Sequence, residues 1–382
     1  MPNALSPASA APGLVARQPI LGPDGRVAGH ELLFDGEPDT GALELGELSG
    51  GLPAWLPVTP DFLLENDPLP MAPGTVVLEL DARTEVETAL LQRLTRLRTE
   101  GHRLALDDFL PGDDVEPLLR FAEYVKVDLA AYGLAGVRAV IDRLPARRPS
   151  VVVTGVEMPG QAASCVRLGA DLLQGFFFER PRPEEDRPVP VASVSRLRAL
   201  VALRGAPSFE DVERLVAGDP GLTIRLLRFA NSAAVASGRR LSSVREALVL
   251  LGSERVRQFI LLVLLGELGQ GRPALVAAAV LRARLAEGIA RDLRLADPDL
   301  AFTAGILSVA DALLDQPLFD VLKGLPVTEE LRWALLGRSG PVGAALDMAI
   351  RLERNRAGTD TARFERLGEA VNWTDRALAG LG

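Results

Sequence analysis

GHRLALDDFLPGDDVEPLLRFAEYVKVD, residues 101–128, is the stretch whose reading decides the fold. The apolar runs at 104–106 and 124–127 have the length and alternation of buried strands, and 115–123 between them suits a helix. This is a strand, helix, strand unit of a parallel sheet. Both strands end in charge: Asp107 and Asp108 follow RLAL, and Lys126 and Asp128 close YVKVD. Side chains two apart on a strand share a face, so Lys126 and Asp128 point the same way, as Ala105 and Asp107 do. In a barrel of parallel strands, polar side chains at the carboxyl ends line the active-site rim.

Working outward, the same punctuation recurs. Residues 14–30 read as a hairpin around Gly22, Pro23, Asp24 and Gly25, with Glu31 emerging from its second strand. The run 75–80 is a strand carrying Glu79, and 86–98 is a helix with Val86, Leu90, Leu94 and Leu97 at helical spacing and Gly101 as its stop. Past the central unit, 130–144 is helical and 150–156 is a strand ending at Glu157. Pro159 opens a helix that Gly169 ends, and 175–178 is the last strand. Residues 36–60 are rich in Gly and Pro and read as loop with one short helix. Glu31, Glu79, Asp107, Asp108, Lys126, Asp128 and Glu157 thus recur at equivalent places. Each alone reads as a helix cap or loop carboxylate. Together, the converging carboxylates among them are what a hard, oxygen-liganded cation such as magnesium requires.

The run RPRPEEDRPVPV, 180–191, is a Pro-rich charged linker, and beyond it only helical patterns remain. Ser208 with Asp211 and Ser243 with Glu246 form capping boxes, and Gly252 stops the helix ending LVLL. Hydrophobic residues are 48% of the 382 and charged ones 24%, enough apolar material for two sizeable cores. The apolar run 259–265, like every other in the chain, is far shorter than the about 20 residues of a membrane span. Residues 1–13 lack a basic start and read as a flexible tail, not a secretion signal. Cys165 is the only cysteine, which excludes an intrachain disulfide and a Cys-based zinc site and fits a cytoplasmic, reducing location. A net charge of −9, with no long basic tract, disfavours sequence-independent binding to nucleic acid. Lys126 and Lys323 are the only lysines in an Arg-rich chain, which marks Lys126 as a compact, titratable cation that Arg does not replace.

The segments ARQPILGPDGRVAGHELL, VVLEL, LALDDF, YVKVD, VTGVE and LGADLLQGFFFERP, in this order, resemble an EAL domain. In active members that barrel hydrolyses cyclic di-GMP to the linear dinucleotide with two divalent metals. FEDVERLVAGDPGLTIRLLRFANSA, LSSVREALVLLGSERVRQFILL, LRARLAEG and AFTAGILSVADALL resemble an HDOD domain. The resemblance implies a shortened TIM-like (β/α) barrel of EAL type over 14–182, a linker over 183–192 and an all-helical HDOD domain over 193–382. The barrel segment is short against the about 250 residues of a typical complete barrel.

Carried over position by position, Glu31, Glu79, Asp107 and Asp108 match metal ligands, with Asp128 beside them. Lys126 matches the lysine at the reacting phosphate or water, Glu157 the last residue of GVE, and Gln174 the glutamine of the last motif. Four positions depart: Pro57 stands for an Asn ligand, Thr154 for the carboxylate proposed as general base, Asp35 for the Arg that grips a phosphate, and Ala82 for the second Glu of its motif. Because groups acting as a unit fail together, the expectation is a barrel without catalysis and without a cofactor, with Mg or Mn needed only if it is active. The helical domain has no histidine after His102 and is expected to be non-catalytic. The whole reads as a non-enzymatic signalling regulator or scaffold with protein partners, the alternatives being a cyclic di-GMP receptor or a phosphodiesterase, and homodimerisation through the barrel would match the family. Glu65 and Asp81 are the carboxylates to examine as replacements. His30 and His102 read as structural, Asn231 as a helix-end packing residue, and 259–265 as core or as contact surface.

Overall fold

In the computed structural model, residues 14–34, 45–110, 116–145, 148–182, 190–203, 208–233, 241–354 and 361–379 are described. Asp35, most of the 183–192 linker and the 1–13 tail lie outside them. The chain divides into two compact units, one from the described residues of 1–156, 160–175 and 352–369, the other from those of 157–159, 176–351 and 370–382.

The first unit is a closed eight-stranded barrel in sequence order. Its elements are β1 (Leu14–Leu21), β2 (Val27–Phe34), α1 (Leu45–Leu48), β3 (Ala54–Pro57), α2 (Pro60–Glu65), β4 (Val76–Asp81), α3 (Thr88–Glu100), β5 (Arg103–Asp107), α4 (Glu116–Leu119), β6 (Tyr124–Asp128), α5 (Leu129–Arg143), β7 (Ser150–Thr154), α6 (Pro159–Leu168) and β8 (Leu172–Gln174). β1 runs antiparallel to both of its neighbours, β2 and β8, and the other pairs are parallel. Among the described residues, α1 and α4 have four residues each.

Three details differ from the sequence reading. The 36–60 stretch holds a strand, β3, whose four residues are too few to show alternation. Of the 115–123 helix, only Glu116–Leu119 is helical among the described residues. The last strand is Leu172–Gln174, not 175–178: Gly175 takes φ +147°, which ends the extended run, and Phe177–Glu179 is a 3-10 turn.

Ile20, Trp55, Val77, Ala105 and Val152 fill the barrel interior as one buried layer. The Trp55 and Tyr124 rings meet there with centroids 4.6 Å apart. Two residues along each strand, on the same face, come Gln18, Pro57, Glu79, Asp107, Lys126, Thr154 and Gln174, and Glu31 faces Gln18 across the β1–β2 register. A dry apolar floor therefore supports a polar layer at the carboxyl ends of the parallel strands.

Beyond residue 190 every regular element is a helix: α7 (Val191–Ala202), α8 (Phe209–Ala217), α9 (Pro220–Ala233), α10 (Val244–Leu251), α11 (Ser253–Leu268), α12 (Pro273–Asp292), α13 (Pro298–Leu307), α14 (Ala310–Leu314), α15 (Leu318–Lys323), α16 (Glu329–Gly337), α17 (Gly340–Glu353) and α18 (Thr361–Ala379). The Ser208–Asp211 capping box is complete. Ser243 caps α10, but the Glu246 carboxylate accepts from the Ser242 N–H, one residue earlier than a capping box requires. Residues 259–265 are core. Asn231 accepts from the Leu241 N–H and donates to the Leu227 and Leu241 carbonyls, a packing role at the end of α9. Among the described residues, no helix is long and apolar enough to cross a membrane.

Candidate active site at the barrel mouth

Lys126 is the centre of the polar layer. Its Nζ lies 2.9 Å from Glu79 Oε1, 3.1 Å from Glu31 Oε1 and 3.6 Å from Asp107 Oδ1. Strands β2, β4, β5 and β6 each deliver one of these groups, because period-two alternation sends every second side chain inward. Gln174, from β8, donates through Nε2 to Glu31 Oε2 and to Gln18 Oε1, the latter at 3.0 Å. Two buried acceptors are left over: Glu79 Oε2 and Gln174 Oε1 have no hydrogen-bond partner.

Burial and charge divide the carboxylates. Burial pushes the Glu79 carboxyl well above its ordinary value, and the neighbouring Glu31 and Asp107 charges add to this while Lys126 opposes it. Asp107 is also raised by burial. Burial raises Glu31 as well, but Lys126 and the Gln174 hydrogen bond outweigh it and hold its carboxyl below the usual range. Burial disfavours the Lys126 ammonium, yet the three carboxylates outweigh that cost and keep it charged above the ordinary lysine range.

The remaining expected residues go elsewhere. Asp108, in the left-handed region at φ 53°, turns to Arg83, with 2.8 Å between Oδ2 and Nη2. Asp128 Oδ1 accepts from the Ala130 N–H at 2.7 Å and caps α5. Glu157 is half-buried three residues beyond β7. Pro57 and Thr154 stand in the polar layer beside Glu79 and Asp128 by register, and Ala82 is buried in the turn after β4. Neither candidate replacement joins the cluster: Glu65 is exposed at the end of α2, and Asp81 is held by Arg83. Sequence reasoning missed Gln18. Counting back from the 22–25 turn of the predicted hairpin would have set it opposite Glu31.

His30 is a clamp beneath this layer. Its Nδ1–H donates to the Ser49 carbonyl at 2.9 Å, and its Nε2 accepts from Arg17 Nη2 at 3.1 Å. The Arg17 contact requires the neutral ring, because a protonated Nε2 cannot accept, whereas the Ser49 contact is open to either form. Burial, with the Arg17 charge adding, pushes its pKa down to about 3 from 6.5. An unfolded chain takes up this proton near 6.5 and the folded one only near 3, so stability is lost as pH falls through that window. The slope is about 1.4 kcal/mol per pH unit. Urea unfolding at pH 7.5, 6 and 5 is expected to show a shallower pH dependence in His30→Gln than in the wild type, and equal slopes would contradict this account.

An EAL domain model matches residues 61–181, and an HDOD domain model matches residues 188–314. The cyclic di-GMP phosphodiesterase CdgJ of Vibrio cholerae is 30% identical over 365 residues, covering 89% of this chain and 84% of that protein. The chain belongs to the EAL and HDOD two-domain family. The uncharacterized protein YuxH of Bacillus subtilis is 25% identical over 370 residues, covering 89% of this chain and 90% of that protein. The EAL domain of Mycobacterium smegmatis DcpA superposes with a TM-score of 0.36 at 24% identity, over 44% of this chain and 90% of that one.

The expectation of a non-enzymatic barrel is corrected by these relatives. CdgJ, and RocR of Pseudomonas aeruginosa at 30% identity over 129 residues, covering 30% of this chain and 32% of RocR, carry the name cyclic di-GMP phosphodiesterase. The physical reason lies in the cluster itself. The losses at Pro57, Thr154 and Ala82 leave Glu31, Glu79, Asp107, Lys126 and Gln174 assembled on one layer, so these positions do not stand or fall with the departures.

The family implies a divalent metal, and the chemistry of the donor set fits one. Three carboxylates converge, and the buried Glu79 Oε2 is a hard oxygen without a partner. Among the described residues, however, no group of three or more such side chains is arranged to hold an ion as it stands. The Lys126 ammonium occupies the place between them.

Proposed function

We propose that the barrel mouth is a cyclic di-GMP phosphodiesterase site, with the barrel over 14–182, a linker over 183–192 and a helical HDOD domain over 193–382 of a cytoplasmic signalling protein. The observation that carries this reading is the convergence of Glu31, Glu79, Asp107 and Gln174 on Lys126 at the carboxyl end of an EAL barrel. The 30% identity to a named phosphodiesterase across nearly the whole chain supports it.

The reaction cleaves one P–O ester bond of the ring and forms a new P–O bond from water, which gives the linear dinucleotide. Lys126 is the cation that this layer presents to a phosphate oxygen. Asp107 is its most distant partner, at 3.6 Å, and the most exposed, so a phosphate displaces Asp107 first. Glu31 and Glu79 keep the ammonium in place, and Gln174 orients Glu31. Glu31, Glu79 and Asp107 are the residues that would hold a divalent cation, which when bound would supply charge neutralisation and a more acidic water.

The test is calorimetric titration of the full chain with cyclic di-GMP, with and without Mn²⁺, followed by chromatography for the linear product. Product is expected with Mn²⁺, falling at least about a hundredfold in Asp107→Ala, the scale on which loss of one charge-stabilising group acts. Neither heat nor product in the wild type would overturn the reading.

A further inference from the structure

The cation at the centre of the site can take one phosphate oxygen in place of Asp107, and no more. Lys126 faces three carboxylates within 3.6 Å, so the polar layer offers a dianionic cyclic dinucleotide little net positive charge. Recognition of two phosphates then calls for a cation elsewhere on the rim.

In the described loops that follow β3, β4, β5 and β7, namely 58–59, 82–87, 108–110 and 155–158, Arg83 is the single Lys or Arg; β6 runs directly into α5, and Arg180 and Arg182, which follow β8, belong to the second unit. Its guanidinium is oriented from two sides. Nε and Nη2 donate to the Asp81 carboxylate at 3.1 and 3.0 Å, and Asp108 Oδ2 lies 2.8 Å from Nη2. The Arg83 backbone N–H closes the turn onto Asp81 Oδ1 at 2.8 Å. Nη1 makes no hydrogen bond among the described residues, and the side chain is 70% exposed. The turn is tied to the cluster, because the Ala82 N–H donates to the Asp107 carbonyl at 2.8 Å and Asp108 directly follows Asp107.

We propose that Arg83 is a second phosphate-recognising cation of this barrel beside Lys126, a specificity-determining residue held at the rim by Asp81 and Asp108 with one edge of its guanidinium open to the ligand. The inference rests on the reading of the site as one for cyclic di-GMP. Arg suits the task because its planar fork binds a carboxylate on one edge and a phosphate oxygen on another, which a lysine ammonium cannot do in one fixed orientation. Asp81 both orients Arg83 and competes with the phosphate for its charge.

That competition supplies a test that a purely structural role would not pass. Cyclic di-GMP is titrated calorimetrically into the full-length wild type, Arg83→Gln, Arg83→Lys, Asp81→Asn and the Asp81→Asn/Arg83→Gln double variant. Arg83→Gln is expected to weaken binding about tenfold or more, the scale of a charged hydrogen bond, and to flatten the dependence of Kd on salt. Arg83→Lys is expected to recover part of the loss. Asp81→Asn is expected to tighten binding about two- to threefold, a shift of a few tenths of a kcal/mol typical of an exposed pair, and to do nothing once Arg83 is Gln. Wild-type binding that Arg83→Gln leaves unchanged in Kd and in salt dependence would overturn this inference alone. A wild type that binds no cyclic di-GMP would overturn the functional reading with it.

Discussion

Lys126→Met is expected to lower the unfolding free energy of the barrel by about 3–5 kcal/mol at pH 7, because removing one partner of a buried charge set leaves the others uncompensated. The Lys126 side chain is 3% exposed and that of Glu79 1%. With the ammonium gone, Glu31 and Glu79 face each other without a counter-charge, and their carboxyls rise further. The folded variant then binds more protons than the unfolded chain between the ordinary glutamate range and these raised values. Its stability therefore increases as pH falls through that window, and the deficit against wild type narrows. The trend is opposite in sign to that of His30, so urea unfolding of both variants at pH 7.5, 6 and 5 separates the two effects. Glu79→Gln is expected to cost much less than Lys126→Met, because burial already drives that carboxyl toward its neutral form. A Glu79→Gln loss equal to that of Lys126→Met would contradict this division of charge.

Gly175→Ala is expected to damage the barrel on the same scale. Gly175 sits at φ +147°, where an L side chain is strained, and a Cβ there would lie 2.0 Å from the Val156 carbonyl oxygen and 2.6 Å from its nitrogen. These are backbone atoms, so no rotamer change relieves the clash. The Val156 N–H also donates to the Gln174 carbonyl at 3.1 Å, so the two segments cannot part without releasing Gln174. Backbone strain alone accounts for about 1–3 kcal/mol, and overpacking adds about 1–3 kcal/mol. Gly133 provides the control. It too has positive φ, at 62°, but a Cβ there meets nothing within 4 Å, so Gly133→Ala isolates the strain. Thermal unfolding is expected to rank Gly175→Ala well below Gly133→Ala, and equal melting temperatures would show that the β8 turn gives way.

Most strands and the all-helical second half were legible because both signals are local. Short apolar runs that close in charged or polar residues mark β4, β5, β6 and β7, and punctuation by Gly, Pro, Ser and Asp marks where elements begin and end. β3 escaped because four residues ending in proline carry no period. β8 was displaced because GFFFE is more apolar than LLQ, and only the approach of Gly175 to Val156 shows that the extended run has already ended. The expectation of inactivity failed for a related reason. It weighed aligned positions one at a time, whereas the layer that carries Glu31, Glu79, Asp107, Lys126 and Gln174 is assembled by register.

The sequence by itself determined which residues stand at strand ends and that they are acids, one lysine and one glutamine, because side-chain direction follows from a period of two within each strand. Only the tertiary structure decided which of them meet. Closure of the barrel through antiparallel β1 brings Gln18 and Gln174 to Glu31 and sets three carboxylates around Lys126. Asp108, one residue past β5, and Asp128, the last residue of β6, are taken by Arg83 and by the first turn of α5. The physical reason is that alternation specifies a face, while register and loop conformation specify a neighbour. Burial raises all three carboxyls, and the Lys126 charge with the Gln174 hydrogen bond then decides that Glu31 keeps its charge.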